Sequence, residues 1–129
     1  MMQIKGPRVL LRTLTRAEYH AGRKKYVADP VMDPNPYVYS AERVDAAYDM
    51  ILSRGESYPV LGIFAEGGEL IGELSFKRID REKSRCELGI VLYHDGLKGK
   101  GYGGEAFAVA LDYAFDVLGL DAVYADTMG

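Results

Sequence analysis

Between the apolar run Ile90-Val91-Leu92-Tyr93 and an amphipathic helix that begins near Tyr102 lies Lys98-Gly99-Lys100-Gly101-Tyr102-Gly103-Gly104. This basic, glycine-rich segment constrains the chain more than any other. Four of the residues from Gly99 to Gly104 are glycine, and Gly103 and Gly104 fall where the first helical turn should be. Each costs such a helix about 1 kcal/mol relative to alanine, so the segment serves something besides helix stability. Glycine lets a ligand approach the backbone closely, and the first turn of a helix offers free N–H groups at the positive end of its dipole. The segment therefore suits phosphate or another anion, and Lys98 and Lys100 reinforce the field. A tight turn with solvated lysines is the plainer reading, and the density of glycine argues against it.

The elements around this segment follow from periodicity and punctuation. Arg8 to Leu14 alternates as a strand, and Thr15-Arg16-Ala17-Glu18 has the form of a capping box that opens a helix. Pro30, Pro34 and Pro36 make Asp29 to Tyr39 an extended loop that displays Tyr37 and Tyr39. Ser40 then caps a second helix with an apolar stripe of Val44, Ala47, Tyr48 and Ile51, ended by Gly55. Tyr58 to Ala65, Leu70 to Ile79 and Arg85 to Tyr93 form three successive antiparallel strands, joined by the turns Glu66-Gly67-Gly68-Glu69 and Asp80 to Ser84. After the glycine segment, Phe107, Ala110, Leu111, Ala114 and Leu118 mark one helix face, Gly119 stops the helix, and Leu120 to Ala125 makes a last strand. That strand should run parallel to the one ending at Tyr93, because a helical crossover separates them.

At 129 residues and 48% hydrophobic content the chain fits one domain, residues 1–129, that buries its own core. A formal charge of −3 argues against a general nucleic-acid surface. Cys86 is the single cysteine, so an internal disulfide is excluded, and His20 and His94 alone do not make a metal site. A lone cysteine on a strand is expected to be a small core residue rather than a nucleophile. No run approaches the length of a membrane span, and a cytoplasmic setting without membrane partners is expected.

Two anion-binding designs compete for the loop. Gly99-Lys100-Gly101-Tyr102-Gly103-Gly104 satisfies the dinucleotide pattern G-x-G-x-x-G, and Asp126 ends the following strand as a ribose-binding acid would. A dinucleotide-binding unit, however, places that pattern after the first strand of an alternating series, whereas three antiparallel strands precede it here. The sequence instead resembles the GNAT superfamily of acyl-CoA-dependent N-acetyltransferases, whose Q/R-x-x-G-x-G/A signature matches Lys98-Gly99-Lys100-Gly101-Tyr102-Gly103 apart from the leading Lys. It is similar in particular to the branch of ribosomal-protein-alanine and spermidine acetyltransferases. Arg8-Val9-Leu10-Leu11-Arg12, Leu70-Ile71-Gly72-Glu73, Glu87-Leu88-Gly89-Ile90 and Gly99 through Ala106 carry that likeness in order along nearly the whole chain.

The resemblance implies an α/β (α+β) fold, a mixed and mostly antiparallel sheet with helices on both faces in the order β-α-α-β-β-β-α-β. It implies acetyl-CoA as co-substrate, no metal, and a primary amine, a protein N-terminus or a small molecule, as acceptor. The pyrophosphate would lie on the N–H groups of Gly99, Lys100, Gly101, Tyr102, Gly103 and Gly104 beside Lys98. The pantetheine arm would pair with the backbone of Val91, Leu92 and Tyr93, where the fourth and fifth strands of that fold splay apart. Direct attack by the amine needs a proton acceptor, and Glu87 is the first candidate, with Glu73, His94 and Asp126 behind it. A Glu87 that merely pairs with a neighbouring arginine is the competing reading.

Relatives of this kind continue past the fifth strand into a helix and a final β-hairpin, so the chain reads as a C-terminally incomplete form. Leu120 to Ala125 would then be an open apolar edge, which soluble proteins normally cover, and self-association through it is expected. A catalytically impaired acyl-CoA-binding or interaction module is the alternative function. The two separate by turnover of acetyl-CoA.

Overall fold

The computed structural model describes residues 3–26, 38–93 and 100–127. One sheet runs in chain order through β1 (Gln3–Lys5), β2 (Leu10–Thr13), β3 (Val60–Phe64), β4 (Leu70–Asp80), β5 (Arg85–Leu92) and β6 (Ala122–Thr127). Neighbours are antiparallel from β1 to β5, and β6 lies parallel to β5 from Arg85↔Ala122 to Ile90↔Thr127. Helices α1 (Arg16–Lys25) and α2 (Ala41–Arg54) cover one face, and α3 (Tyr102–Asp116) covers the other. The mixed sheet with helices on both faces is the expected architecture. The short β1 is an addition to it, and the first long strand begins at Leu10 rather than Arg8. The final strand is also shifted, to Ala122–Thr127, and α3 ends before Leu118.

Local chemistry explains the helix ends. Thr15 and Glu18 form both bonds of the capping box, and Ser40 accepts from the Arg43 N–H. Gly55 leaves α2 with φ +53°, a conformation that suits glycine. Two apolar clusters result. Leu11, Leu61, Ile63, Leu74, Phe76, Cys86 and Leu88 pack with the alanines of α3, whereas Leu14, Tyr19, Val44, Phe64, Leu70 and Tyr93 pack with α1 and α2. Cys86 is thus a core residue, and burial pushes its thiol pKa up.

One irregularity in β4 positions the site. Ile63 pairs with Gly72 but Phe64 pairs with Leu70, so Ile71 is an extra residue on β4. Leu70 enters the α1/α2 cluster and Ile71 the α3 cluster, after which alternation resumes. Glu73, Ser75 and Lys77 consequently face the α1/α2 side while Leu74 and Phe76 enter the α3 core. Among the described residues no helix is long and apolar enough to cross a membrane, and β6 has no strand partner on its outer side.

Candidate functional site

The glycine segment enters α3 through Gly101, which adopts φ +84° and caps the helix without any side-chain bond. The N–H groups of Tyr102, Gly103 and Gly104 precede the first intrahelical bond, which runs from Glu105 N–H to the Gly101 carbonyl at 3.0 Å. Beyond both glycines there is room. A Cβ on Gly104 would meet nothing within 4 Å, and one on Gly103 only Leu92 Cδ1 at 3.8 Å. Lys98, Gly99 and His94 lie outside the described residues.

Arg8 ties this helix end to the start of β2, a role the sequence did not disclose. Its N–H donates to Glu105 Oε2 at 2.7 Å, its Nε to Glu105 Oε1 at 2.9 Å, and its Nη1 to the Lys100 carbonyl at 3.1 Å. The guanidinium also lies 5.0 Å from the Tyr102 ring centroid. Burial raises the Glu105 pKa, but the Arg8 backbone N–H and guanidinium outweigh it and the net shift is downward. Glu105 therefore stays ionised yet neutralised at the positive end of the helix. The uncapped N–H groups, the glycine surfaces and a compensated charge fit an anionic group such as pyrophosphate.

Val91, Leu92 and Tyr93 lead toward this loop from β5. Val91 and Leu92 pair with Glu73 and Gly72 on β4, and neither has a β6 partner among the described residues. Val91 is exposed, whereas the Tyr93 side chain is buried beneath α1. Its hydroxyl donates to Glu73 Oε2 at 2.8 Å, and Arg23 Nη2 donates to Glu73 Oε1 at 2.9 Å. Burial, and then the Glu73 carboxylate, holds the Tyr93 phenol far above its ordinary pKa, so it remains a donor. Gly22 on α1 makes the packing feasible, since any Cβ there would run into the Tyr93 ring and hydroxyl.

Above this triad a groove of about 410 Å³ separates α1 and α2 from β3, β4 and β5. Tyr19, Arg23, Arg54 and Tyr58 line its helical side, and Glu73, Ser75, Lys77, Gly89 and Val91 its floor. Glu87 lies on the same face of β5 but outside this lining. It sits between Lys77 and Tyr124 in register, and its Oε1 accepts from Arg78 Nη1 at 2.8 Å. The arginine pairing weighed from sequence is present at Oε1. Asp126 is on β6 at the level of Gly89. Among the described residues no three His, Cys, Asp or Glu side chains cluster as metal ligands.

Sequence reasoning missed Arg8, Arg23 and Arg54, because nothing in the local spacing ties an arginine to a loop or groove distant in sequence. The phrase Leu70-Ile71-Gly72-Glu73 contained the bulge and the buried acid without showing which face the acid takes.

Residues 8–128 match the family model described as the acetyltransferase (GNAT) domain. The chain is 33% identical over 107 residues to the uncharacterized N-acetyltransferase p20 of Bacillus licheniformis, covering 78% of this chain and 60% of that protein. It thus spans about 60% of that curated relative's length. A structure solved as a candidate ribosomal-protein-serine acetyltransferase from Vibrio cholerae superimposes with TM-score 0.78 at 18% identity, over 96% of this chain and 72% of that one. The dodecameric spermidine N-acetyltransferase of Vibrio cholerae gives TM-score 0.69 at 21% identity, over 93% and 70%. At such identities these structures establish the fold alone.

Proposed function

The chain belongs to the GNAT acetyltransferase family, and from that premise we propose that it transfers an acetyl group from acetyl-CoA to a primary amine by direct attack of the amine. The observation that carries this reading is the α3 entry at Gly101, left-handed and without a side-chain cap, beside a β5 end that β6 does not pair among the described residues. In the proposal, the N–H groups from Gly99 to Gly104 with Lys98 and Lys100 hold the pyrophosphate, and the backbone of Val91, Leu92 and Tyr93 holds the pantetheine amides. When bound, acetyl-CoA supplies an activated acyl carbon and a thiolate leaving group.

The remaining work falls to the groove. An acceptor must present a neutral amine, so a carboxylate near it must take a proton. Glu73 is the carboxylate inside the groove, directly opposite Val91 on the neighbouring strand, and we assign it the base role. Both its oxygens already accept one bond, but each retains a second lone pair. Glu87 is the second reading, favoured by its place on the same face of β5, where Arg78 engages its Oε1. Glu73→Gln and Glu87→Gln separate them: the variant that removes the acidic limb of the pH–rate profile identifies the base.

Calorimetric titration of acetyl-CoA into the chain tests the cofactor half, with Gly103→Glu as the control that places a carboxylate among the free N–H groups. Tight binding lost in Gly103→Glu supports the reading, and no binding by a folded parent overturns it. Release of CoA in the presence of amine then distinguishes a transferase from a binding module. Association of copies along the open edge of β6 remains part of the proposal, and sedimentation of a single monomeric species at high concentration would remove it.

A further inference from the structure

We infer that the chain has a second ligand site, at the end of the sheet opposite the glycine segment, that takes a small apolar molecule ending in a carboxylate. β2 begins near the α3 entry, where Arg8 meets Glu105, and runs away from it to Thr13. At that far end β3 begins at Val60, β4 finishes at Asp80, and α2 and α3 finish at Arg54 and Asp116. Between these ends lies a cavity of about 630 Å³, larger than the groove and within the range of small-molecule sites.

The walls of the cavity are apolar and aromatic. Tyr48 and Tyr113 line it with Leu52, Val60 and Leu118. Tyr48 is fixed by its hydroxyl, which donates to the Leu14 carbonyl at 2.7 Å, and Tyr113 lies against Phe76 with 5.9 Å between ring centroids. Gly55 adds no side chain to the lining, and a Cβ there would meet nothing within 4 Å, so that side is open. Leu52 continues the apolar stripe of α2 one turn after Tyr48, yet it is 59% exposed. A large apolar side chain left uncovered beside an apolar cavity is a surface that a ligand would bury.

Arg81 decides the charge of that ligand. It is the charged residue of the lining, and its Nη1 donates to the Leu118 carbonyl at 3.0 Å, which holds the guanidinium at the rim. No acid lines the cavity, and Arg81 forms no ion pair among the described residues. The adjacent acid, Asp80, turns its Oδ1 to the Lys83 N–H at 3.0 Å. The remaining guanidinium donors suit the two oxygens of a carboxylate. A cation would be repelled there, and a neutral molecule would leave the fork without a charged acceptor. Tyr19, Ile51 and Val60 line both this cavity and the groove, so the two sites share a wall.

Calorimetric titration of the full chain with indole-3-acetate, octanoate, the amide of each, and acetate tests the site. At least one of the two larger carboxylates should bind tenfold tighter than its own amide, which lacks the charge, and than acetate, which lacks the apolar body. Their order tells an aromatic body from an aliphatic one. Arg81→Gln should bring acid and amide to within a few-fold of each other. Leu52→Glu sets a carboxylate at the mouth and should weaken both acids about tenfold. Both positions are exposed, and circular dichroism confirms that the variants are folded. Gly103→Glu, at the other end of α3, should leave the affinity unchanged, and Arg54→Gln, in the groove, should cost less than Arg81→Gln. Amides that bind as tightly as their acids, an unchanged affinity in Arg81→Gln, or no binding of either acid by the folded parent overturns the inference. So does an equal loss in Gly103→Glu or Arg54→Gln, which would move the carboxylate to the glycine segment or the groove.

Discussion

Arg8 neutralises Glu105 at the mouth of α3, with its N–H 2.7 Å from Oε2 and its Nε 2.9 Å from Oε1. A carboxylate in the first turn would by itself occupy the positive helix end that a phosphate needs. The arginine cancels that charge and also anchors the Lys100 carbonyl. Two effects of opposite sign can therefore be separated. Arg8→Gln leaves Glu105 charged against the cofactor and should weaken acetyl-CoA binding about tenfold or more. Glu105→Gln loosens the tether but removes the negative charge, and should weaken binding less. Calorimetry on both variants checks this, and equal losses would mean that the pair acts as a tether only.

Gly101 and Gly104 should respond to alanine with opposite signs. Gly101 has φ +84°, and a Cβ there would come within 2.9 Å of Arg8 Nη2, so Gly101→Ala should destabilise the chain by about 1 kcal/mol or more. Gly104 is helical with open space around it, so Gly104→Ala should stabilise α3 by about 0.5–1 kcal/mol. Urea denaturation measures both. If Gly104→Ala also weakens acetyl-CoA binding, the glycine is retained for ligand approach at the expense of the helix.

Gly22 and Tyr93 should behave as one packing unit. Gly22→Ala forces a methyl into the Tyr93 ring and should cost about 1–3 kcal/mol through overpacking. Tyr93→Phe should cost about 1–2 kcal/mol, because the buried Glu73 loses a charge-assisted donor. In a double-mutant cycle with Tyr93→Leu, Gly22→Ala should lose most of its penalty, since the smaller side chain vacates the space. Additive penalties would show that the methyl is accommodated elsewhere.

The parts of this fold legible in the sequence are those written in adjacent residues. Thr15 and Glu18 make the capping box, Ser40 caps α2, and the stripes Val44–Ile51 and Phe107–Ala114 bury the faces their spacing indicates. The parallel β6 followed from the crossover helix alone. The pair of β1 with β2 was not legible, because three residues carry too little alternation to mark a strand. The groove was less legible still. Its floor depends on one extra residue, Ile71, that decides which way Glu73 turns, and its charge depends on Arg23 and Arg54, each brought over β4 and β5 by a helix. Glu87 shows the same difficulty in reverse. The sequence placed it on β5, but only the bulge at Arg78, where φ is +50°, brings that guanidinium onto its carboxylate.

Glu18 should set the acid limit of the α1 end. Arg12 Nη1 and Nη2 donate to its two oxygens at 2.9 and 2.6 Å, and the Thr15 N–H donates at 2.9 Å. The Arg12 bonds first, and then those from Thr15, outweigh burial and lower its pKa from 4.5 to about 2. A folded pKa below the unfolded one contributes stability that is complete above about pH 4.5 and is lost as the pH falls toward about 2. The full shift corresponds to about 3 kcal/mol, and the partial exposure of both side chains, 26% and 29%, reduces this to about 1–2 kcal/mol. Glu18→Gln should therefore be less stable than the parent by about that amount at neutral pH. The difference should narrow between pH 4.5 and 2, where the parent carboxyl also becomes neutral. Urea denaturation across that range measures it, and a gap independent of pH would assign the loss to the cap geometry rather than to the charge.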